Sequence, residues 1–409
     1  MEERTRFVVE YESGDWTMTE LCDFYGISRK TGYKILSRWE EAGSNGLADQ
    51  SRAPRTHPNQ TPEKIEEEIL ALRRAHMSWG PRKLRGKLKQ RDPDRNWPAS
   101  STIGALLKRS GLIHGPRLHP RTPLYTQPFA SATQANDVWC VDFKGWFRTR
   151  DGDRIDPFTM TDAHSRYLLR CQTVSKTDTE QVSGICHAAF REFGLPRAIR
   201  SDNGAPFASR AVAGLSRLAV DWMKLGIVHE RIKPGHPEQN GRHERMHRTL
   251  KQETTRPAAA NRRRQQVVFD HFRNEYNEER PHEALGQKTP SSFYSASPRP
   301  CPTRIPEPEY DSSLTVRSVY PHGQFFWKGN NVFLSKVLAG EKIALEQLDD
   351  RYWCVLLSTF PIAYFDSQLQ TVGSLPPTPT PQANGNPEIS KNEIPGFPLA
   401  STTTQKQQT

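Results

Sequence analysis

Helical spacing, strand alternation and Pro-rich polar stretches divide the chain into segments. Residues 1–50 read as compact helices. Thr19 to Tyr25 is a short amphipathic stretch with Thr19 as its expected cap. Gly26-Ile27-Ser28 breaks it, and Ser28 can cap a second helix over Arg29–Trp39. Ile27, Ile35, Leu36 and Trp39 fall on one side of that helix, and Arg29, Lys30, Tyr33 and Lys34 on the other. Helix, glycine turn and basic second helix is the helix-turn-helix pattern, whose second helix enters a major groove. A helical hairpin with a solvated basic face would have the same spacing. Residues 60–112 repeat the theme. Thr61-Pro62-Glu63 starts one helix, Pro81 opens another, and Ser100-Ser101-Thr102 is expected to cap a third over Ile103–Ser110. This predicts a second helix-turn-helix or winged-helix-like unit. Residues 113–135, rich in Pro, Arg and His, read as a linker.

The pattern changes at Asn136. Asp137–Phe147 alternates as one strand, with Asp142 in its middle. Strands are expected at Asp156–Thr161, Tyr167–Gln172, Ala198–Ser201 and Ile227–Arg231, with helices over Thr179–Phe193, up to Leu225, and over Arg262–Tyr276. Three antiparallel strands followed by alternating helices and strands make residues 136–295 a mixed α/β domain. Five or six short apolar runs over 310–370 suggest a small β-barrel-like domain. The Pro-, Thr- and Gln-rich tail over 373–409 reads as disordered. The fold class is therefore multidomain: N-terminal all-α units, a central α/β core and a small C-terminal β domain.

Charge narrows the partners. Lys and Arg outnumber Asp and Glu by 57 to 46, a net charge of +11, which favours a polyanion and, first of all, nucleic acid. The six cysteines include no Cys-x-x-Cys pair, so neither a zinc ribbon nor a disulfide framework is implied. No apolar run has the length of a membrane span, and the first residues lack a signal-peptide core. A cytoplasmic protein without a membrane partner is expected.

Candidate chemistry lies in three acids. Asp142 interrupts a strand that otherwise wants apolar residues, where an ionised carboxylate is costly unless paired or metal-bound. Asp202 ends a strand before Asn203-Gly204, at the place where α/β sheets put ligands. Glu244 follows the Pro- and Gly-rich turn Pro234–Gly241 on a helix whose Glu244, Arg248 and Lys251 share one face. A carboxylate with two cations along the helix suits a metal ion beside a phosphate backbone. The same helix contains His243-Glu-Arg-Met-His247, a match to the His-Glu-x-x-His zinc-protease signature. The match is short, the helix is strongly basic and no extended motif follows. His243 and His247 are therefore expected at the surface or against DNA.

Taken together, Trp139-Cys-Val-Asp142, Asp162-Ala-His-Ser-Arg-Tyr-Leu168, Ser201-Asp-Asn-Gly-Ala-Pro-Phe207, Pro237-Glu-Gln-Asn-Gly-Arg-His-Glu244 and Asn277-Glu-Glu-Arg-Pro-His-Glu-Ala-Leu285 resemble the core of insertion-sequence transposases related to retroviral integrases. The resemblance covers about residues 130–295. It implies a ribonuclease-H-like fold and a catalytic, metal-binding triad, carried onto Asp142, Asp202 and Glu244. It implies two Mg²⁺ ions per active site, with Mn²⁺ as a substitute. It also implies double-stranded DNA partners (element terminal repeats and target), a homodimer or higher oligomer in a synaptic complex, and a bacterial, nucleoid-associated setting. Arg242, Arg245, Arg248 and Lys251 would meet the DNA beside the triad. A spacing of 35 residues after Asp202, common in the superfamily, falls instead on Glu238; the Asn-Gly motif and the helix face favour Glu244. A DNA-binding regulator with an inactive core, or a nuclease that cuts without joining, would share most of these features.

Overall fold

The structure, a computed structural model, describes residues 2–49, 60–113, 132–209, 211–232 and 241–373, and of Arg242 the backbone alone. The turn at 233–240 with Glu238 in it, most of the 113–135 linker and nearly all of the 373–409 tail lie outside these residues. The chain divides into two compact units between Glu66 and Glu67.

In the first unit, α1 (Glu2–Glu12), α2 (Met18–Phe24) and α3 (Arg29–Ala42) enclose Phe7, Val8, Met18, Leu21, Cys22 and Leu47. Ile27, Ile35, Leu36 and Trp39 pack against this cluster. The cap of α2 lies two residues before the expected Thr19. Thr17 accepts from the Glu20 N–H while the Glu20 carboxylate accepts from the Thr17 N–H. Starting the helix there puts Met18 on the buried face with Leu21 and Cys22. Ser28 caps α3 through the Thr31 N–H, as expected. Gly32 of α3 faces α2 so closely that an added Cβ would stand 2.6 Å from Cys22 Sγ. A side chain at this position would have to displace Cys22 and Met18.

Next come α4 (Glu63–Ala75), α5 (Pro81–Arg91) and α6 (Ser100–Arg109), with Pro81 at the start of α5, where its missing N–H costs nothing. α6 begins at Ser100 rather than Ile103. Its cap, Ala99, supplies no side-chain bond, so the serines and Thr102 are first-turn residues and not caps. α5 lies against the segment that follows the central domain's last helix. Lys83 Nζ donates to the Pro281 carbonyl at 2.7 Å, Gln90 Nε2 to the Gln287 carbonyl at 2.7 Å, and Arg82 pairs with Glu283. Gly86 permits this approach, since a Cβ there would be 2.9 Å from Gln287 Cβ. Ahead of α5, His76 bonds Glu275 at 2.8 Å, and Ser78 joins Arg280 on the Glu253 carboxylate.

The central domain runs β1 (Val138–Phe143), β2 (Phe147–Arg148), β3 (Arg154–Asp162), β4 (Leu168–Val174), α7 (Thr179–Phe193), β5 (Ala198–Ser201), α8 (Arg217–Lys224), β6 (Val228–Arg231), α9 (Gly241–Thr254) and α10 (Arg262–Asn274). The sheet order is β4-β3-β1-β5-β6. β3 pairs antiparallel with β4 and β1, whereas β1-β5 and β5-β6 are parallel. The single strand expected over 137–147 is broken at Lys144–Trp146. Gly145 takes φ +85°, and pairing with β3 resumes one residue out of step: Phe143 faces Phe158 but Phe147 faces Ile155.

Because strand side chains alternate, the two faces of the sheet differ. Trp139, Val141, Phe158, Met160 and Ile199 point to one face, where Val182, Phe190, Leu218 and Trp222 of α7 and α8 close an apolar core. α9 and α10 cover the other face through Met246, Leu250, Phe269 and Phe272.

The C-terminal region is all β. β7 (Thr315–Ser318), β10 (Lys342–Gln347), β11 (Tyr352–Leu357), β12 (Phe360–Asp366) and β13 (Thr371–Gly373) form one antiparallel sheet. β8 (Gln324–Trp327) and β9 (Asn330–Phe333) form a hairpin. Phe325 and Trp327 of the hairpin pack on Phe365 and Trp353 of the sheet. No strand pairing joins the two into a closed barrel among the described residues. This core continues onto Leu215, Ala219 and Val220 of the central domain.

Candidate active site

β1 and β5 run in parallel with Cys140 opposite Arg200, and carrying that register two residues on sets Asp142 beside Asp202. Parallel strands lie about 4.8 Å apart, so both acids sit at the same C-terminal edge of the sheet. Asp202 is half-buried, and its Oδ1 accepts the Gly204 N–H at 3.1 Å, a turn bond that fixes the Asp202-Asn203-Gly204 bend. Asp142 Oδ1 accepts the Phe143 N–H at 2.8 Å. Burial, and next the negative charge of Asp202, push the Asp142 carboxyl up to about 7. The Phe143 N–H and Lys144 oppose this, and Glu244 adds a smaller upward push. The three acids thus share one electrostatic neighbourhood, supplied by two adjacent strands and α9.

What holds α9 there was not expected. Asp142 and Thr159 are opposite one another across β1-β3, and Cys140 and Thr161 likewise, so both threonines lie on the Asp142 face. Thr159 Oγ1 lies 2.6 Å from Nε2 of both His243 and His247, and Thr161 Oγ1 lies 2.9 Å from His243 Nδ1. The two histidines are therefore buried, at 2% and 4% exposure, and are neither surface nor DNA-contacting residues. They occupy the same helical stripe as Met246, Leu250 and Thr254. That stripe was readable, since 243, 246, 247 and 250 follow helical spacing; polar histidines on it concealed it. Burial lowers His243 to about 3. Burial, His243 and Lys144 lower His247 further, so both rings are neutral.

Asp142, His243 and His247 also bring ligand atoms within 4.8 Å of one another. They do not make a two-histidine zinc centre. Threonine hydroxyls engage both nitrogens of His243 and Nε2 of His247, which leaves His247 Nδ1 alone, 3.7 Å from Asp142 Oδ2. Glu244 is exposed, about 60° round α9 from His247 and 100° from His243, at the margin of the buried stripe.

Arg245, Arg248 and Lys251 are exposed on α9, and Arg29, Lys30, Tyr33 and Lys34 are exposed on α3. Arg242's side chain is outside the described structure. Asp162, within the sequence motif, is fully buried; its carboxylate accepts from the Asn136 and Ser165 N–H groups and the Ser165 hydroxyl, an architectural role. All six cysteines are free thiols. No helix among the described residues is long and apolar enough to cross a membrane.

Comparison with known proteins agrees with this geometry. Residues 132–237 and 225–290 match two models described as an integrase core domain. Residues 3–55 match a helix-turn-helix domain and 31–107 a homeodomain-like domain. The chain is 27% identical over 275 residues to the uncharacterized 39.2 kDa protein of insertion element IS476 from Xanthomonas euvesicatoria, covering 65% of this chain and 75% of that one. It is 26% identical over 242 residues to the 31.7 kDa protein of insertion element IS407 from Burkholderia multivorans, covering 56% of this chain and 81% of that one. The HTLV-2 integrase catalytic core domain in complex with magnesium aligns over 40% of this chain and 99% of its own at 14% identity, with a TM-score of 0.32. The chain thus carries an integrase core domain preceded by helix-turn-helix units and is similar to insertion-element proteins over more than half its length.

Proposed function

We propose that the chain binds the terminal inverted repeats of its mobile element and carries out metal-dependent DNA cleavage and strand transfer, with Asp142, Asp202 and Glu244 as catalytic metal ligands. The observation that carries this reading is that Asp142 and Asp202 fall side by side at the ends of neighbouring parallel strands, with the charges of Asp202 and, less strongly, Glu244 both raising the Asp142 carboxyl. Like charges held together are relieved by a proton or by a bound cation. The donors are all carboxylate oxygens, the hard ligands that Mg²⁺ and Mn²⁺ take, and two ions per site match their number. When bound, such ions supply Lewis acidity toward a phosphodiester.

The chain's own residues provide the rest. Asp142 and Asp202 stand on hydrogen-bonded strands. Glu244 is held by α9, whose adjoining buried stripe His243 and His247 tie to Thr159 and Thr161. Arg245, Arg248 and Lys251 sit along the exposed side of α9 beside Glu244, where they would hold the DNA backbone. Arg29, Lys30, Tyr33 and Lys34 of α3 would read the element ends. Arg242 joins the α9 set from its position in the sequence. A homodimer or higher oligomer would bring two ends together, in the bacterial cytoplasm at the nucleoid.

The test is cleavage and joining of the element's own end DNA with Mg²⁺. Asp142→Asn or Glu244→Gln is expected to lower both steps at least about 1000-fold, within the range a metal-assisted reaction contributes, while end binding in a gel shift persists. Full activity in either variant would remove the assignment. Cutting without joining by the native chain would leave the nuclease reading.

A further inference from the structure

Beside the acids lies a feature that the reading above does not use. Where β1 breaks, Lys144, Gly145, Trp146 and Phe147 form one wall of a cleft of about 300 Å³, and Lys251 and Thr255 at the end of α9 form the other. Phe147 is its anchored side, packing edge-on to Phe269 at 6.4 Å. Trp146 is the opposite case. It is 58% exposed, although a tryptophan side chain is among the most costly to leave in water. Arg148 and Arg154, paired across β2-β3, reach the Trp146 ring at 5.9 and 5.3 Å, so its surroundings are cationic. Neither Lys144 nor Lys251 has an ion-pair partner among the described residues. Lys144 is also near enough to Asp142 to lower its carboxyl.

An exposed indole with ammonium groups on both walls is the combination that binds single-stranded nucleic acid: the base stacks and the phosphate is neutralised. Base pairs inside a duplex have both faces stacked, so only an unpaired base can enter the cleft and stack on Trp146 with its phosphate between the walls. We propose that the cleft holds one unpaired nucleotide of the DNA strand engaged at the acids, its base stacked on Trp146 and its phosphate between Lys144 and Lys251. This rests on the DNA-processing reading above and adds a requirement to it: the DNA is opened by at least one nucleotide beside the active site.

The test needs neither metal nor turnover. The full chain, in EDTA, is titrated with two labelled DNAs of the same sequence, one blunt and one with a short unpaired 3′ arm carrying 2-aminopurine. The native chain is expected to prefer the armed DNA and to quench its 2-aminopurine. Trp146→Ala should cut that preference about tenfold, within the range for losing one stacked base, and abolish the quench. Trp146→Phe should keep most of both, which separates stacking from folding. Lys144→Ala and Lys251→Ala should each weaken armed-DNA binding and flatten its salt dependence. Equal affinity of the native chain for the two DNAs, or an unchanged quench in Trp146→Ala, overturns the cleft. If the armed-DNA preference holds in a chain that neither cuts nor joins with Mg²⁺, the cleft stands and the transposase chemistry falls. If the chain cuts and joins without any preference, the reverse is true.

Discussion

The two faces of the central sheet are built on different principles. The α7/α8 face is apolar at its centre, with Trp139, Phe158 and Ile199 fully buried against Phe190 and Trp222. The α9/α10 face carries a polar inlay, Thr159 and Thr161 bonded to His243 and His247, directly beneath the helix that bears Glu244. Hydrophobic contact is non-directional and holds layers together without fixing a helix's rotation closely. A hydrogen-bonded inlay is costly if misaligned, so it fixes the rotation and height of α9. One face supplies stability and the other supplies register.

The widest separation between the faces is expected from Phe158→Ala. It empties a fully buried site beside Phe143 and Phe207 and should cost about 3–5 kcal/mol in denaturant unfolding. Activity per folded molecule should change little at permissive temperature. Thr159→Val, one position along on the other face, keeps the shape but strands two buried imidazoles. A loss of about 2–3 kcal/mol is expected, with a fall in strand cleavage far beyond what the unfolded fraction explains. If cleavage and stability fall together in both variants, the division of labour between the faces is wrong.

The smallest effect is a pH effect on the apolar side. His229 bonds Ser201 at 2.9 Å and packs edge-on to Trp222; burial, then Arg231, lower it to about 4 from an ordinary 6.5. The folded state then binds fewer protons than the unfolded one between those values. Its contribution is whole above about 6.5 and is lost as pH falls through about 4. Stability should drop by about 2 kcal/mol from pH 7 to pH 5 through this group, and His229→Gln should flatten that slope in urea titrations.

Much of this was legible from sequence. α7 and β5 fall where they were expected, α7 because it is long and capped by Asp178, β5 because Gly194-Leu-Pro196 before it and Asp202-Asn-Gly204 after it mark its ends. The acids were found because a charge inside a strand and a charge before an Asn-Gly turn both break local rules. The inlay was missed because histidine fits a surface as readily as an interior; only two threonines, 82 to 88 positions away, decide it. The broken strand had its signal in Gly145, which the alternation on either side overrode. The cleft at Trp146 depended on bringing residue 146 to residue 251, and no local pattern records that distance.

The junction between α5 and the central domain bears on inheritance. Lys83, Gly86, Gln90, His76 and Ser78 on one side are matched to Pro281, Gln287, Glu275, Arg280 and Glu253 on the other. Glu253 is on the same helix as Glu244, nine residues along, about 14 Å at 1.5 Å per residue. The α4–α6 segment is therefore not an interchangeable cassette. Recombination between elements that swapped it alone would strand charges on both sides, so the two segments must descend together.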